Sequence, residues 1–288
     1  MKLLQILKIY YFRNMIKVQL HGRMGNQLFQ YSFAYLLAKR NRTLFLLDIQ
    51  KNKFYLDCFE LSFPHNFLFN KKILRLYGWL VRKIKLKNNQ NFLDLKTKFE
   101  LPQAKGSTSY NGYFQDADLM ESDKESLKKI FAIKKSYQKV FQEKYGYLFS
   151  QNKILVISMR LGQDYKNFIL PDLNNAKVFL PNEWYTTLLS KIEKEYDSVL
   201  IISDEIEDAK LILGEKFSYI FIDDSPEIQF QMMMNANGCI IGNSSYSWWG
   251  GFLNEKKGKK IYAPKYWAGY NAKQEYPVGI MTQEFIWV

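Results

Sequence analysis

Apolar residues along this chain fall into short unbroken runs and into helical stripes, and the two patterns take turns. Residues 154–159 form a run of the kind that fills a strand buried on both faces. Pro181-Asn182 then caps a helix on which Tyr185, Leu188, Leu189 and Ile192 share a face. Strand 198–202, helix 205–213, strand 219–222, helix 227–237, and strands 239–241 and 260–263 follow. The beginning of the chain has the same plan. Strand 17–20 leads to a helix over 26–39, with Phe29, Phe33, Leu36 and Leu37 on one side, and then to strand 43–47. Strand and helix in alternation predict an α/β fold with a mainly parallel sheet covered on both faces. Residues 50–135 are less regular.

Residues 71–87 stand apart. Ile73, Leu76, Tyr77, Leu80 and Ile84 make one helical stripe, while Lys72, Arg75, Arg82, Lys83 and Lys87 lie largely elsewhere. The preferred reading puts the stripe in the core and the cations in water. The other reading rests the helix on an anionic membrane face.

A length of 288 residues suffices for two domains of ordinary size. With 47% hydrophobic and 24% charged residues, the chain is globular rather than disordered. Aromatics at 17% suit a thick core or a carbohydrate-handling surface. The net charge of +13 favours anionic partners, namely nucleotide phosphates, anionic lipid or nucleic acid. It equally fits a lysine-rich solvated surface. Cys58 and Cys239 sit among apolar neighbours and read as buried free thiols. With only His21 and His65 as histidines, a zinc site is nearly excluded. Residues 1–14 carry an apolar run broken by Gln5 and Lys8, with no cleavage site of the kind a signal peptide needs. They read as an extension, a start-site artefact or a short surface anchor.

Candidate chemistry is expected where strands end, because open α/β sheets bind ligands beyond the carboxyl ends of their strands. At residues 21–27, Gly22 and Gly25 let the backbone approach a ligand, and the helix beginning at Asn26-Gln27 faces it. The third glycine of a dinucleotide fingerprint is missing. After strand 154–159, Arg160 emerges in the loop from Ser158 to Tyr165, where a guanidinium suits a diphosphate. A salt bridge to Asp164 is the alternative. Ser203 and Asp204 end the next strand, either as helix caps or as acceptors for a guanine edge. At 243–251 the sequence NSSYSWWGG offers Ser244 and Ser245 to an anion at a helix start. Its Trp248 and Trp249 either stack on a sugar or base, or fill the core. Asp116 and Asp118 form an Asp-x-Asp pair of the sort that holds a metal in some sugar-nucleotide enzymes. No metal site is expected here.

These motifs occur in a familiar order. GRMGNQLFQY at 22–31, GYFQ at 112–115, Arg160 to Tyr165, Ser203-Asp204, NSSYSWWG at 243–250 and APKYW at 263–267 are the blocks concerned. Through them the chain resembles glycosyltransferase family 11, the α-1,2-fucosyltransferases, from about Met15 to Trp267. The resemblance implies two Rossmann-like lobes in a GT-B-like architecture, an acceptor-side lobe at 15–150 and a GDP-sugar-binding lobe at 151–288. It implies inverting, metal-independent transfer of L-fucose from GDP-L-fucose to the 2-hydroxyl of a galactoside, with no cofactor. The acceptor expected is a galactose-containing oligosaccharide or lipid-linked glycan of a bacterial surface polysaccharide such as O-antigen. The expected location is cytoplasmic, with peripheral contact at the inner membrane and no nucleic-acid partner. Arg160 and Asp164 take catalytic roles in this reading. The donor-binding set is Gly22, Arg23, Gly25, Asn26, Gln27, Ser158, Ser203, Asp204, Asn243, Ser244, Ser245 and Trp248. Asp116, Asp118, Glu183 and His21 stay open as candidate bases. One motif departs from the family's His-x-Arg-Arg-Gly-Asp. Ser158 replaces the histidine, Leu161 replaces the second arginine, and Gln163 precedes Asp164. Arg23 is the candidate to make up the lost charge. Another GDP-deoxysugar donor, or a GDP-binding relative without activity, are the alternative readings.

Overall fold

In the computed structural model, residues 15–49, 53–86, 88–92, 95–102, 106–214, 216 and 218–288 are described; the segment 1–14 and Lys87 lie outside the described residues. The chain forms two units, one ending at Ile133 and one comprising Lys134–Val288.

The first unit is built on β1 (Ile16–Leu20), α1 (Met24–Arg40) and β2 (Phe45–Ile49), one βαβ turn of chain. It continues through α2 (Lys71–Lys83), β3 (Asn88–Phe92), β4 (Thr108–Gly112), α3 (Ala117–Glu121) and α4 (Lys124–Ile130). Its four strands are all parallel, in the order β2-β1-β4-β3. Helix α1 is buried along most of its length, so its apolar residues are not confined to one stripe. Lys39 and Arg40 fall in its last turn, where the helix dipole favours cations.

The preferred placement of the 71–87 stripe is overturned. Tyr77, Gly78 and Val81 turn inward, whereas Ile73, Leu76, Trp79 and Leu80 are exposed. Tyr77 ties the helix to β2, its hydroxyl accepting from Leu47 N.

His65 lies inside this unit, with its ring among Tyr31, Phe45 and Tyr77 and its Nε2 3.2 Å from the Tyr77 hydroxyl. Burial lowers its pKa from the ordinary 6.5 to about 3. The unfolded chain therefore takes up a proton that the folded chain refuses. The resulting stability is complete above pH 6.5 and is lost as the pH falls toward 3. The expected slope reaches about 1.4 kcal/mol per pH unit in urea unfolding, and His65→Asn should flatten it.

The second unit starts with α5 (Lys135–Gln151) and β5 (Ile154–Met159). A short helix, α6 (Gln163–Lys166), and an antiparallel pair, β6 (Ile169–Leu170) with β7 (Ala176–Lys177), come next. Then follow α7 (Asn182–Ile192), β8 (Ser198–Ser203), α8 (Ile206–Leu213) and β9 (Tyr219–Ile222). The chain ends through α9 (Pro226–Asn235), β10 (Gly238–Ile241), α10 (Ser245–Phe252), β11 (Lys260–Ala263) and β12 (Ile286–Trp287). The parallel sheet runs β12-β11-β10-β5-β8-β9. The expected strands and helices from 154 onward are all present, shifted by a residue or two at their ends. No side chain caps α7, whose N-cap is Pro181.

The unit boundary falls at 133/134 rather than 150/151, because α5 packs on the second unit. Asp224 accepts hydrogen bonds from Lys144 Nζ at 2.8 Å and Tyr145 Oη at 3.1 Å, and Gln231 Nε2 donates to the Tyr137 carbonyl at 3.3 Å. Cys58 and Cys239 are buried free thiols, as expected.

Strand order locates the site. The chain enters the sheet at its centre on β5, moves outward through β8 and β9, then returns to β10 on the other side of β5. The strand order thus reverses between β5 and β10, and open α/β sheets bind ligands beyond the carboxyl ends of the strands at such a switch point.

Candidate active site

Strand β5 is buried at every position and delivers Arg160 just beyond its last residue, Met159. The guanidinium is held as a fork. Nη1 donates to Asp204 Oδ2, and Nη2 donates to Asp164 Oδ2 at 2.6 Å. The Tyr165 ring lies beside the guanidinium, 5.3 Å from ring centroid to Cζ. Both expectations for Arg160 therefore meet: it stands at the strand end suited to a diphosphate, and it is salt-bridged to Asp164.

Asp204 does not cap α8. Its carboxylate accepts from Leu161 N at 2.7 Å and Gly162 N at 3.1 Å, in addition to Arg160. With both oxygens engaged by the β5 loop, Asp204 positions that loop. Ser203 Oγ accepts from Glu205 N at 3.0 Å, so Ser203 turns the chain into α8. A side chain at 162 would break the loop: a Cβ there would lie 2.6 Å from Asp204 Oδ2 and 2.7 Å from Asp164 Oδ1.

Across the switch point, Tyr165 Oη donates to the Asn243 carbonyl, and Gly242 N donates to the Ser158 carbonyl at 3.0 Å. Burial raises the Tyr165 phenol well above its ordinary pKa, so it stays a donor into alkaline solution. Ser158 is buried between its partners in β8 and β10. Asn243 is buried too, and its Nδ2 donates to the Val178 carbonyl at 2.7 Å and the Trp267 carbonyl at 3.5 Å. Its amide braces the loop. Ser244 is the N-cap residue of α10 and makes no side-chain cap bond, and Ser244 and Ser245 are both half-buried. Ser247 is buried, and its Oγ donates to the carbonyls of Gly242 and Ser244 at 3.1 and 3.0 Å.

Trp248 requires a correction. Its exposure is 0%, its Nε1 donates to the Ile280 carbonyl at 3.1 Å, and its ring stacks on Phe252 at 4.7 Å. Trp249 is equally buried. No face of either indole is left for a ligand; an eight-residue helix over a sheet buries large side chains in place of a long stripe. Trp248→Ala should cost about 3–5 kcal/mol in urea unfolding, the range for emptying an aromatic core site.

The first unit carries the other motifs at the carboxyl end of its own β1. Gly22 has φ +68, a conformation that favours glycine, and a Cβ there would meet Asn26 Nδ2 at 2.4 Å. Gln27 is buried with its amide spent on structure: Nε2 donates to the Lys53 carbonyl at 2.8 Å and Oε1 accepts from Tyr55 N at 2.9 Å. It braces the 53–55 segment and is removed from the donor-binding set. Arg23 is exposed, Gly25 is buried, and Asn26 Oδ1 accepts from Gln115 Nε2 at 3.1 Å. The GYFQ block thus meets the GRMGNQ block. His21 Nε2 lies 2.6 Å from Asn111 Oδ1, and Gln30 joins both blocks through the His21 amide at 2.9 Å and the Gly112 carbonyl at 3.1 Å. Gln30 escaped the sequence reading, although a polar residue on the apolar side of a helix was the available signal.

Asp116 and Asp118 diverge. Asp116 is buried and caps α3, accepting from Leu119 N at 2.8 Å, while the exposed Asp118 pairs with Lys98. Glu183 is exposed in the first turn of α7. Among the described residues, no three His, Cys, Asp or Glu side chains are grouped so as to hold a metal ion.

Two units, each on a parallel sheet, with an arginine loop at the switch point of the second, define a GT-B-like glycosyltransferase architecture. Residues 5–277 match the family described as Glycosyl transferase family 11, and the chain belongs to that family. It is 25% identical over 299 residues to an Escherichia coli protein described as O-antigen biosynthesis glycosyltransferase WbnK, covering 89% of this chain and 96% of that one. It is 26% identical over 278 residues to an Escherichia coli alpha-1,2-colitosyltransferase, covering 88% and 92%. Among solved structures, POFUT1 in complex with GDP shares the fold at a TM-score of 0.55 and 11% identity, covering 88% of this chain and 98% of that one.

Proposed function

We propose that this glycosyltransferase moves L-fucose from GDP-L-fucose to the 2-hydroxyl of a terminal galactoside, with inversion, in building a bacterial surface glycan such as O-antigen. The observation that carries the reading is Arg160 at the β5/β10 switch point, beside the N-terminus of α10. In this reading the GDP diphosphate faces Arg160 and the Ser244-Ser245 turn, where a guanidinium and a helix start both favour anions. The local charge balance matters. One arginine faces two carboxylates, so a diphosphate binds it best by displacing one of them. Asp164 is the one able to leave, since its side chain is 65% exposed against 24% for Asp204, which two backbone amides also hold.

The reaction is a single displacement. The acceptor's 2-oxygen bonds to the fucose anomeric carbon as the bond to the GDP oxygen breaks. GDP keeps the electron pair, and the acceptor's proton passes to a base or to solvent. Arg160 meets the charge that builds on the departing diphosphate. No metal or cofactor enters the scheme, and the Asp-x-Asp pair is engaged elsewhere.

GDP release measured over a panel of GDP-sugars tests this. GDP-L-fucose should be preferred, and EDTA should leave the rate unchanged. No preference for fucose would remove the donor assignment. The second reading, another GDP-deoxysugar, draws on Leu161 in place of an arginine and on the relative described as a colitosyltransferase.

A further inference from the structure

Helix α2 is firmly seated with an apolar face turned outward. Asn70 Oδ1 caps it by accepting from Lys72 N at 2.9 Å and Ile73 N at 3.3 Å. Leu47 N donates to Tyr77 Oη at 2.8 Å from β2. At the other end, Lys17 Nζ donates to the Ile84 carbonyl at 3.2 Å while pairing with Asp48 at 3.1 Å. These ties fix the helix's rotation. They leave Leu76 59% and Trp79 49% exposed, with Ile73 and Leu80 alongside. The segment leading into the helix adds Phe63, 77% exposed, and the exposed Phe67 and Phe69. Such a concentration of large apolar side chains in water marks an interaction surface.

Charge identifies the occupant. No Asp or Glu occurs between Glu60 and Asp94, whereas Lys or Arg stands at 71, 72, 75, 82, 83, 85 and 87. Lys71, Lys72, Arg75, Arg82 and Lys83 are exposed around the apolar face. Lys83 Nζ lies 3.9 Å from the centroid of the Trp79 ring, pairing a cation with an aromatic as at a membrane–water boundary. A second copy would set this one-signed patch against itself, since a two-fold interface uses the same surface on both chains.

We infer that the outward face of α2, with Phe63, Phe67 and Phe69, docks on an anionic phospholipid bilayer. The apolar side chains enter the boundary between headgroups and acyl chains, and the surrounding cations meet lipid phosphates. The inference is independent of which sugar the enzyme transfers. Among the described residues, no helix is long and apolar enough to cross a membrane, so the contact inferred is a surface one.

Co-sedimentation of the full chain with vesicles tests it. The protein should bind equimolar phosphatidylcholine–phosphatidylglycerol vesicles, should ignore pure phosphatidylcholine, and should be released by salt. Leu76→Glu with Trp79→Glu, and separately Lys71→Glu with Lys72→Glu and Arg75→Glu, should each weaken partitioning at least about tenfold. Both variants should keep the wild-type circular dichroism and GDP-release rate in vesicle-free buffer. The charge-reversal set touches no core residue, so it decides the matter even if the apolar pair fails to fold. Absent binding to anionic vesicles, equal binding to neutral ones, or unchanged partitioning of the charge-reversal variant would overturn the inference. So would a wild-type dimer in sedimentation velocity that the Leu76→Glu and Trp79→Glu pair dissolves, which would assign the face to a second copy.

Discussion

Arg160→Ala should slow transfer by about a hundredfold or more, the scale on which removing one preorganised electrostatic group acts. The loss should appear in kcat more than in KM, because the guanidinium opposes a charge that grows only as the sugar–GDP bond breaks. Arg160→Lys should recover little. The side chain bridges Asp204 and Asp164 through two different nitrogens, a fork that an ammonium does not reproduce. Steady-state kinetics with GDP-L-fucose read both outcomes, and a near-normal rate for the alanine variant would remove Arg160 from the chemistry.

Asp204→Ala should be nearly as damaging although the carboxylate is assigned no contact with substrate. It takes away the acceptor for Leu161 N and Gly162 N and one arm of the Arg160 fork in a single change. The loop after β5 then loses the bonds that aim the guanidinium, and kcat should fall on the order of tenfold to a hundredfold. The diagnostic is non-additivity. If Asp204 acts through Arg160, the double variant should be scarcely slower than Arg160→Ala alone. Fully additive losses would mean that Asp204 has an independent role.

The strands of the second unit were legible in the sequence because each is short, apolar and bounded by a helix, as parallel strands buried on both faces must be. The strands β3 and β4 were not. β3 reads Asn-Asn-Gln-Asn-Phe, pairs at the sheet's edge through its backbone, and offers no alternation of polar and apolar residues. Helix α5 was missed for a related reason: only Phe141 and Phe149 are buried along it, too few to mark a stripe. The stripe of α2 is plain in the sequence but its direction is not, since periodicity gives a face and not what that face meets.

At the strand ends of each unit, where a side chain starts was legible and what it bonds to was not. Arg160 could be placed because a strand end fixes where its side chain starts. The duties of Gln27, Asp204, Asn243 and Trp248 depend on partners distant in the chain: Lys53 and Tyr55, Leu161 and Gly162, Val178, and Ile280. A motif records that an amide or an indole is present at a loop. Tertiary packing decides whether it faces the ligand or holds the loop that does.

The bond that the enzyme makes can be read in one experiment. Incubation with GDP-L-fucose and an oligosaccharide ending in galactose, followed by NMR of the purified product, reads the sugar, the linkage and the anomeric configuration together. The expected product is fucose joined α to the galactose 2-oxygen. Fucose on any other hydroxyl, a β linkage, or no product from GDP-L-fucose alongside ready transfer from another GDP-deoxysugar would contradict it.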